Sequence, residues 1–142
     1  MRVTQRIPSF KKHSITGETV WANHSDVFHT SQAKGEYSYI AKKTGKIFDY
    51  FLWVFLIVLT WLRVILIAPE NQAMNSTFGD HTVIQDIEQE QVRKTIWKNM
   101  VIYQWKQGDI IILDNQRVSH GRLPFTGNDR KIICAWGDSP IQ

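Results

Sequence analysis

The stretch from Trp105 to Trp136 reads WKQGDIIILDNQRVSHGRLPFTGNDRKIICAW, and it decides the fold. Ile110 to Leu113 is a run of four branched apolar residues, with Lys106-Gln107-Gly108-Asp109 before it and Asp114-Asn115 after it. Short apolar runs bounded by such turn formers predict buried strands. Val101 to Trp105, Arg117 to His120 and Arg130 to Trp136 add further short strands, and the whole pattern predicts antiparallel β architecture. His120 closes one of these strands and Arg130 opens the next, so pairing would turn an imidazole and a guanidinium toward one cavity. Imidazole suits iron, and a guanidinium fork holds a carboxylate in two parallel hydrogen bonds. A chelating keto acid needs both. Cys134, in Ile-Ile-Cys-Ala-Trp, is expected to be buried and inert.

The rest of the chain sets bounds on this reading. Its 142 residues make one domain, with 43% apolar and 21% charged residues, a globular composition. Aromatic residues reach 12%, enough to supply a sizeable core. A single cysteine excludes an intrachain disulfide framework and a Cys-rich zinc site. The net charge of +4 is not clustered. It suits an anionic small substrate or weak membrane attraction, and nucleic acid is not an expected partner. No apolar run follows the polar first ten residues, so secretion is not expected; the expected location is cytoplasmic or membrane-associated.

Three blocks are expected: 1–46, polar with a hairpin and a helix; 47–68, apolar; and 69–142, mixed. Thr16-Gly17-Glu18 predicts a turn between Lys11–Ser14 and the strand Thr19–Trp21. A polar helix is expected over Lys34–Lys46, limited by Gly35 and Gly45. Thr82 to Met100 predicts a second helix, with Ile84, Ile87, Gln91, Thr95 and the group Val92, Ile96 and Met100 recurring at three and four residues as one apolar stripe. Tyr50 to Ala68 holds nineteen residues and one charge, Arg63, the threshold length for a bilayer span.

Asp114, Asn115, Arg117, Val118, His120, Gly121 and Arg122 spell D-N-x-R-V-x-H-G-R, followed by Pro124-Phe125 and Arg130. His13 to Asn23, HSITGETVWAN, matches a hairpin of the form H-P-x-T-G followed by Asn, with Ser14 in place of the usual proline. Pro69-Glu70-Asn71-Gln72 through Phe78-Gly79-Asp80 adds a third segment. Together these resemble the C-terminal part of the taurine dioxygenase-like (clavaminate-synthase-like) Fe(II)/2-oxoglutarate-dependent oxygenases. The resemblance implies an α+β fold, mainly β: the C-terminal portion of a double-stranded β-helix, or jelly roll, with 47–68 as an inserted apolar helix. It also implies Fe(II) as cofactor, 2-oxoglutarate as cosubstrate, and hydroxylation of a small organic substrate. His120 then resembles the distal iron ligand and Arg130 the clamp for the keto acid's distal carboxylate, with Arg122 a second candidate for the same cavity.

The family's other two iron ligands form an H-x-D or H-x-E pair on a strand upstream of the hairpin, and no such pair precedes His13. A partial domain, inactive by itself, is the expectation. The alternative is a non-catalytic membrane-associated or interaction protein that keeps half the scaffold. His24-Ser25-Asp26 is an H-x-D and supplies additional candidate ligands, although it falls after the hairpin asparagine. His29 and His81 have no partner at ligand spacing and are expected to be exposed. Were 47–68 to cross a bilayer, the hairpin and His120 would sit on opposite faces, so the expectation is an insertion contacting membrane or another subunit through 50–68.

Overall fold

The computed structural model describes residues 3–68, 71–125, 127 and 131–137. The chain is α+β. Strands β1 (Phe10–Lys12) and β2 (Thr19–Trp21) pair antiparallel, with Phe10 opposite Trp21 and Lys12 opposite Thr19. Their turn closes through His13 N–H donating to Glu18 O at 2.8 Å, with Gly17 at φ 69°, a conformation glycine adopts without a Cβ penalty. Among the described residues four α-helices follow: α1 (Ser25–Phe28), α2 (Gln32–Thr44), α3 (Ile47–Leu66) and α4 (Asp86–Asn99).

Gly45 ends α2 as expected, in the left-handed conformation, its N–H donating to Ala41 O. Gly35 does not begin it, because α2 starts at Gln32 and Gly35 lies inside the first turns. The two residues between α2 and α3 force the helices to fold back on one another as a hairpin, and they pack together. α4 begins at Asp86, later than the periodicity suggests. Asp80 Oδ1 accepts from both the N–H and the hydroxyl of Thr82, which holds 80–82 in a turn, and Thr77 and Val83 form a bridge. A capping box between Gln85 and Glu88 then starts the helix, with Asp86 and Glu88 in its first turn and Lys98 in its last.

The expected apolar stripe of α4 is not the buried one. Gln89 and Arg93 are buried to 1% exposure, whereas Ile87 is 66% exposed. α4 meets a polar face of α2. There Arg93 lies against Gly35, donates to Glu90 at 2.8 Å and stands 3.4 Å from Glu36. Glu36 accepts from the Trp97 indole at 3.0 Å, and Trp97 stacks on Tyr39. Burial pushes the Glu36 carboxyl above its ordinary range, against the opposing pull of the Trp97 N–H and Arg93.

The buried apolar residues among those described are Ile40, Ala41 and Ile84, so the aromatic content does not form a sizeable core. The accessible surface is 12195 Å², against about 7,600 Å² for a compact monomer of this mass. β1 and β2 form the whole sheet among the described residues. Residues 101–105, 110–113 and 117–120, and the described part of the last expected strand, 131–136, carry no strand pairing. Ile110, Ile112 and Ile133 are 86%, 93% and 83% exposed, and Cys134 is exposed rather than buried. Strand preference is a preference for packing against neighbours, and no paired strand lies beside these segments. The turns between them are present: Asp109 accepts from the Lys106 N–H, and the Arg117 and Val118 N–H groups donate to Asp114 O.

Candidate functional site

His13 sits at the end of β1 and is 4% exposed. Its Nδ1 accepts from the backbone N–H groups of Ile15 at 3.2 Å and Thr16 at 3.0 Å. The ring proton is therefore on Nε2, which donates to Asp114 Oδ2 at 2.9 Å. Asp114 Oδ1 accepts from the Gln116 N–H at 3.0 Å. Desolvation draws the Asp114 carboxyl upward, but the Gln116 N–H, His13 and Arg117 outweigh it and hold the carboxyl below its usual range. Arg117 reaches Glu18 at 2.9 Å, an exposed pair.

Ser14, which departs from the family proline, completes this docking. Its N–H donates to Gln116 Oε1 at 3.1 Å, and its hydroxyl accepts from Gln116 Nε2 at 2.9 Å. Proline has neither donor nor hydroxyl. Ser14→Pro is expected to release Gln116 and speed amide exchange across 115–120 by about tenfold, measured by hydrogen–deuterium exchange mass spectrometry. Unchanged protection would show that Gln116 does not hold this segment.

Docking the D-N-Q-R turn on the hairpin encloses a cavity of about 380 Å³. Lys11 and Trp21 from the hairpin, His24, and then Asn115, His120 and Trp136 are among the side chains that line it. Thus the structure brings His24 and His120 to one cavity. Asp26 lies on α1 and is not among the lining residues, nor is Arg122, whose guanidinium stacks 5.0 Å from the centre of the Phe125 ring. Arg130 lies outside the described residues. Among the described residues no three His, Cys, Asp or Glu side chains gather as a metal site, so His24, Asp26 and His120 do not fit a complete iron triad.

His81 is exposed, as expected. His29 is not: it is 5% exposed, its Nδ1 accepts from the Ser31 N–H, and its Nε2 lies 3.0 Å from Ile84 O. That bond ties α1 to the lead-in of α4. His13 and Ser14 were legible as motif positions but not as contacts, and Gln116 fell on an unspecified position of the motif; their partners lie about a hundred residues away along the chain. The signal for His13 was its place three residues before Thr16-Gly17, where its ring can cap the turn.

An α+β domain in which a T-G-E hairpin grips a D-N-x-R-V-x-H-G-R turn is a dioxygenase-type domain. The family model described as Taurine catabolism dioxygenase TauD, TfdA family matches residues 1–136, and the chain belongs to that family. It is similar to Dapdiamide synthesis protein DdaC of Enterobacter agglomerans, 24% identical over 130 residues, which cover 89% of this chain and 32% of DdaC. The chain thus spans about a third of the length of that curated relative. No solved structure matches it.

Proposed function

We propose that this chain carries the distal-histidine and cosubstrate-clamp portion of an Fe(II)/2-oxoglutarate-dependent oxygenase acting on a small organic substrate. In the assembled domain, 101–136 contributes strands to a double-stranded β-helix, and a separate H-x-D or H-x-E segment supplies the other iron ligands. His120 is the ligand this chain offers, Arg130 binds the distal carboxylate of 2-oxoglutarate, and Arg122 is a second candidate for that carboxylate. The observation that carries this reading is the His13–Asp114 bond at 2.9 Å, which fixes the His120 turn on the hairpin and forms the cavity. Because the described residues do not complete an iron site, no reaction step is assigned to this chain alone. The second reading, a non-catalytic scaffold protein, is favoured by the exposed apolar surface of α3.

An anaerobic titration with Fe(II) and 2-oxoglutarate separates the readings. The expected result is no charge-transfer band from the folded chain, but saturable keto-acid contact in ligand-detected NMR that Arg130→Ala removes. Absence of any keto-acid binding would leave the scaffold reading. A band abolished by each of His24→Ala, Asp26→Ala and His120→Ala would establish a complete triad and overturn the partial-site account.

A further inference from the structure

The feature of the molecule that the oxygenase reading leaves unused is α3. It has twenty residues, about 30 Å of helix, and Thr60 is its one buried residue. Its charged residues and Thr60 turn inward. Asp49, Thr60 and Arg63 share the less exposed side with Leu52, Trp53 and Leu56; Asp49 bonds Thr44, and Arg63 donates to Met74 O at 3.1 Å. The outward side, spaced at three and four residues, is Ile47, Phe51, Val54, Val58, Leu62 and Ile65, between 40% and 77% exposed. None of these can make a side-chain hydrogen bond.

We propose that this outward face docks on the surface of an anionic lipid bilayer, with α3 lying in the membrane plane and not crossing it. Three observations select that occupant and that orientation.

The first concerns the two ends of the helix, which belong to one body. α2 folds back along α3, carrying Lys34, Glu36, Lys42 and Lys43. Beyond α3, Ser76 donates to Ser25 O at 2.8 Å, at the start of α1, which itself packs against α2. A span would draw those charges into hydrocarbon, which costs several kcal/mol for each, whereas an in-plane helix leaves them on the protein side.

The second concerns the flank. Tyr50 and Trp61 fall on one side of the outward face, and behind them the Lys42 ammonium lies 6.0 Å from the centre of the half-buried Trp53 ring. Lys43 and Lys46, in the turn into α3, are exposed. Amphipathic aromatic rings next to lysines match the headgroup layer of an anionic membrane.

The third is the scarcity of polar groups on the face itself. A protein interface of ordinary size carries about ten direct hydrogen bonds, whereas the six apolar residues named above offer no side-chain donor or acceptor, and the Trp61 indole N–H is the polar group beside them. Hydrocarbon asks for none.

Flotation of the purified chain with phosphatidylcholine vesicles, with and without phosphatidylserine, tests the proposal, with circular dichroism confirming that each variant is folded. The chain is expected to float with the anionic vesicles. Phe51→Ser with Val58→Ser should reduce the bound fraction at least about tenfold, and Lys42→Glu with Lys43→Glu should reduce it on anionic vesicles only. In a Cys134→Ser background, Lys46→Cys and Ala68→Cys, which flank the two ends of α3 and lie outside the docked face, should both react with an impermeant maleimide added outside. Labelling at one end only would mean that α3 spans, and would overturn the in-plane orientation. Failure to float, together with a concentration-dependent dimer abolished by Phe51→Ser and Val58→Ser, would mean that a second copy covers this face.

Discussion

Gly35→Ala is expected to lower the unfolding midpoint by about 8 °C, a loss of roughly 2 kcal/mol. Alanine at an interior helical position normally stabilises by about 1 kcal/mol relative to glycine, so the sign is the informative part. A Cβ at residue 35 would stand 2.2 Å from both Cζ and Nη1 of Arg93 and 2.7 Å from its Nε. Arg93 is 1% exposed and has no room to yield without leaving Glu36 and Glu90. Overpacking costs about 1–3 kcal/mol, and the displaced guanidinium also loosens its pairs with Glu36 and Glu90, which are themselves partly exposed, so the loss exceeds the propensity gain. The additional variant Arg93→Met in the Gly35→Ala chain should recover part of the loss, because the clash goes with the guanidinium. Thermal denaturation followed at 222 nm checks both. A Gly35→Ala chain more stable than the wild type would mean that Arg93 does not occupy this contact.

His13→Ala is expected to cost about 2–3 kcal/mol, and to free the His120 turn. The substitution takes the imidazole acceptor from the N–H groups of Ile15 and Thr16 and removes the donor to Asp114. Glu18→Ala, which severs the exposed pair with Arg117 in the same neighbourhood, should cost less than about 1 kcal/mol. Urea denaturation of the two variants side by side gives the contrast. Equal and small losses would mean that hairpin and motif are held by something other than the buried imidazole.

Which parts of the molecule were legible in the sequence follows from the range of the forces involved. The Thr16-Gly17-Glu18 turn, the Gly45 stop and the Lys106–Asp109 turn are local: each is closed by bonds within a few residues, and each appears where the residue types place it. The buried face of α4 was not legible, because periodicity assumes that an apolar stripe meets an apolar partner. Here α2 presents Gly35, Glu36 and Tyr39, so Gln89, Arg93 and Trp97 turn inward instead. Ile110 to Leu113 shows the converse limit. Its composition marks a strand, but pairing depends on a neighbour that no local pattern supplies, and here the run is unpaired.

The candidate site divides along the same line. The D-N-x-R-V-x-H-G-R motif, together with the hairpin segment 13–23 and the segment 69–80, carried the family, and the family match over 1–136 agrees. That His24 and His120 share a cavity while Asp26 does not is a matter of tertiary geometry. So is the exchange of the family proline for Ser14, whose N–H and hydroxyl are both used by Gln116 across the hairpin.

The central claim is that a buried imidazole locks the His120 turn onto the hairpin, and its protonation pattern can be read directly. Long-range ¹H–¹⁵N correlation of the histidine rings, with His13 assigned from the His13→Ala spectrum, distinguishes the two nitrogens. The expected spectrum shows a bare, hydrogen-bonded Nδ1 and a protonated Nε2 for His13, with the Nε2 resonance moving in Asp114→Asn. A His13 ring protonated on Nδ1, or one averaging freely between tautomers and indifferent to Asp114→Asn, would contradict the account.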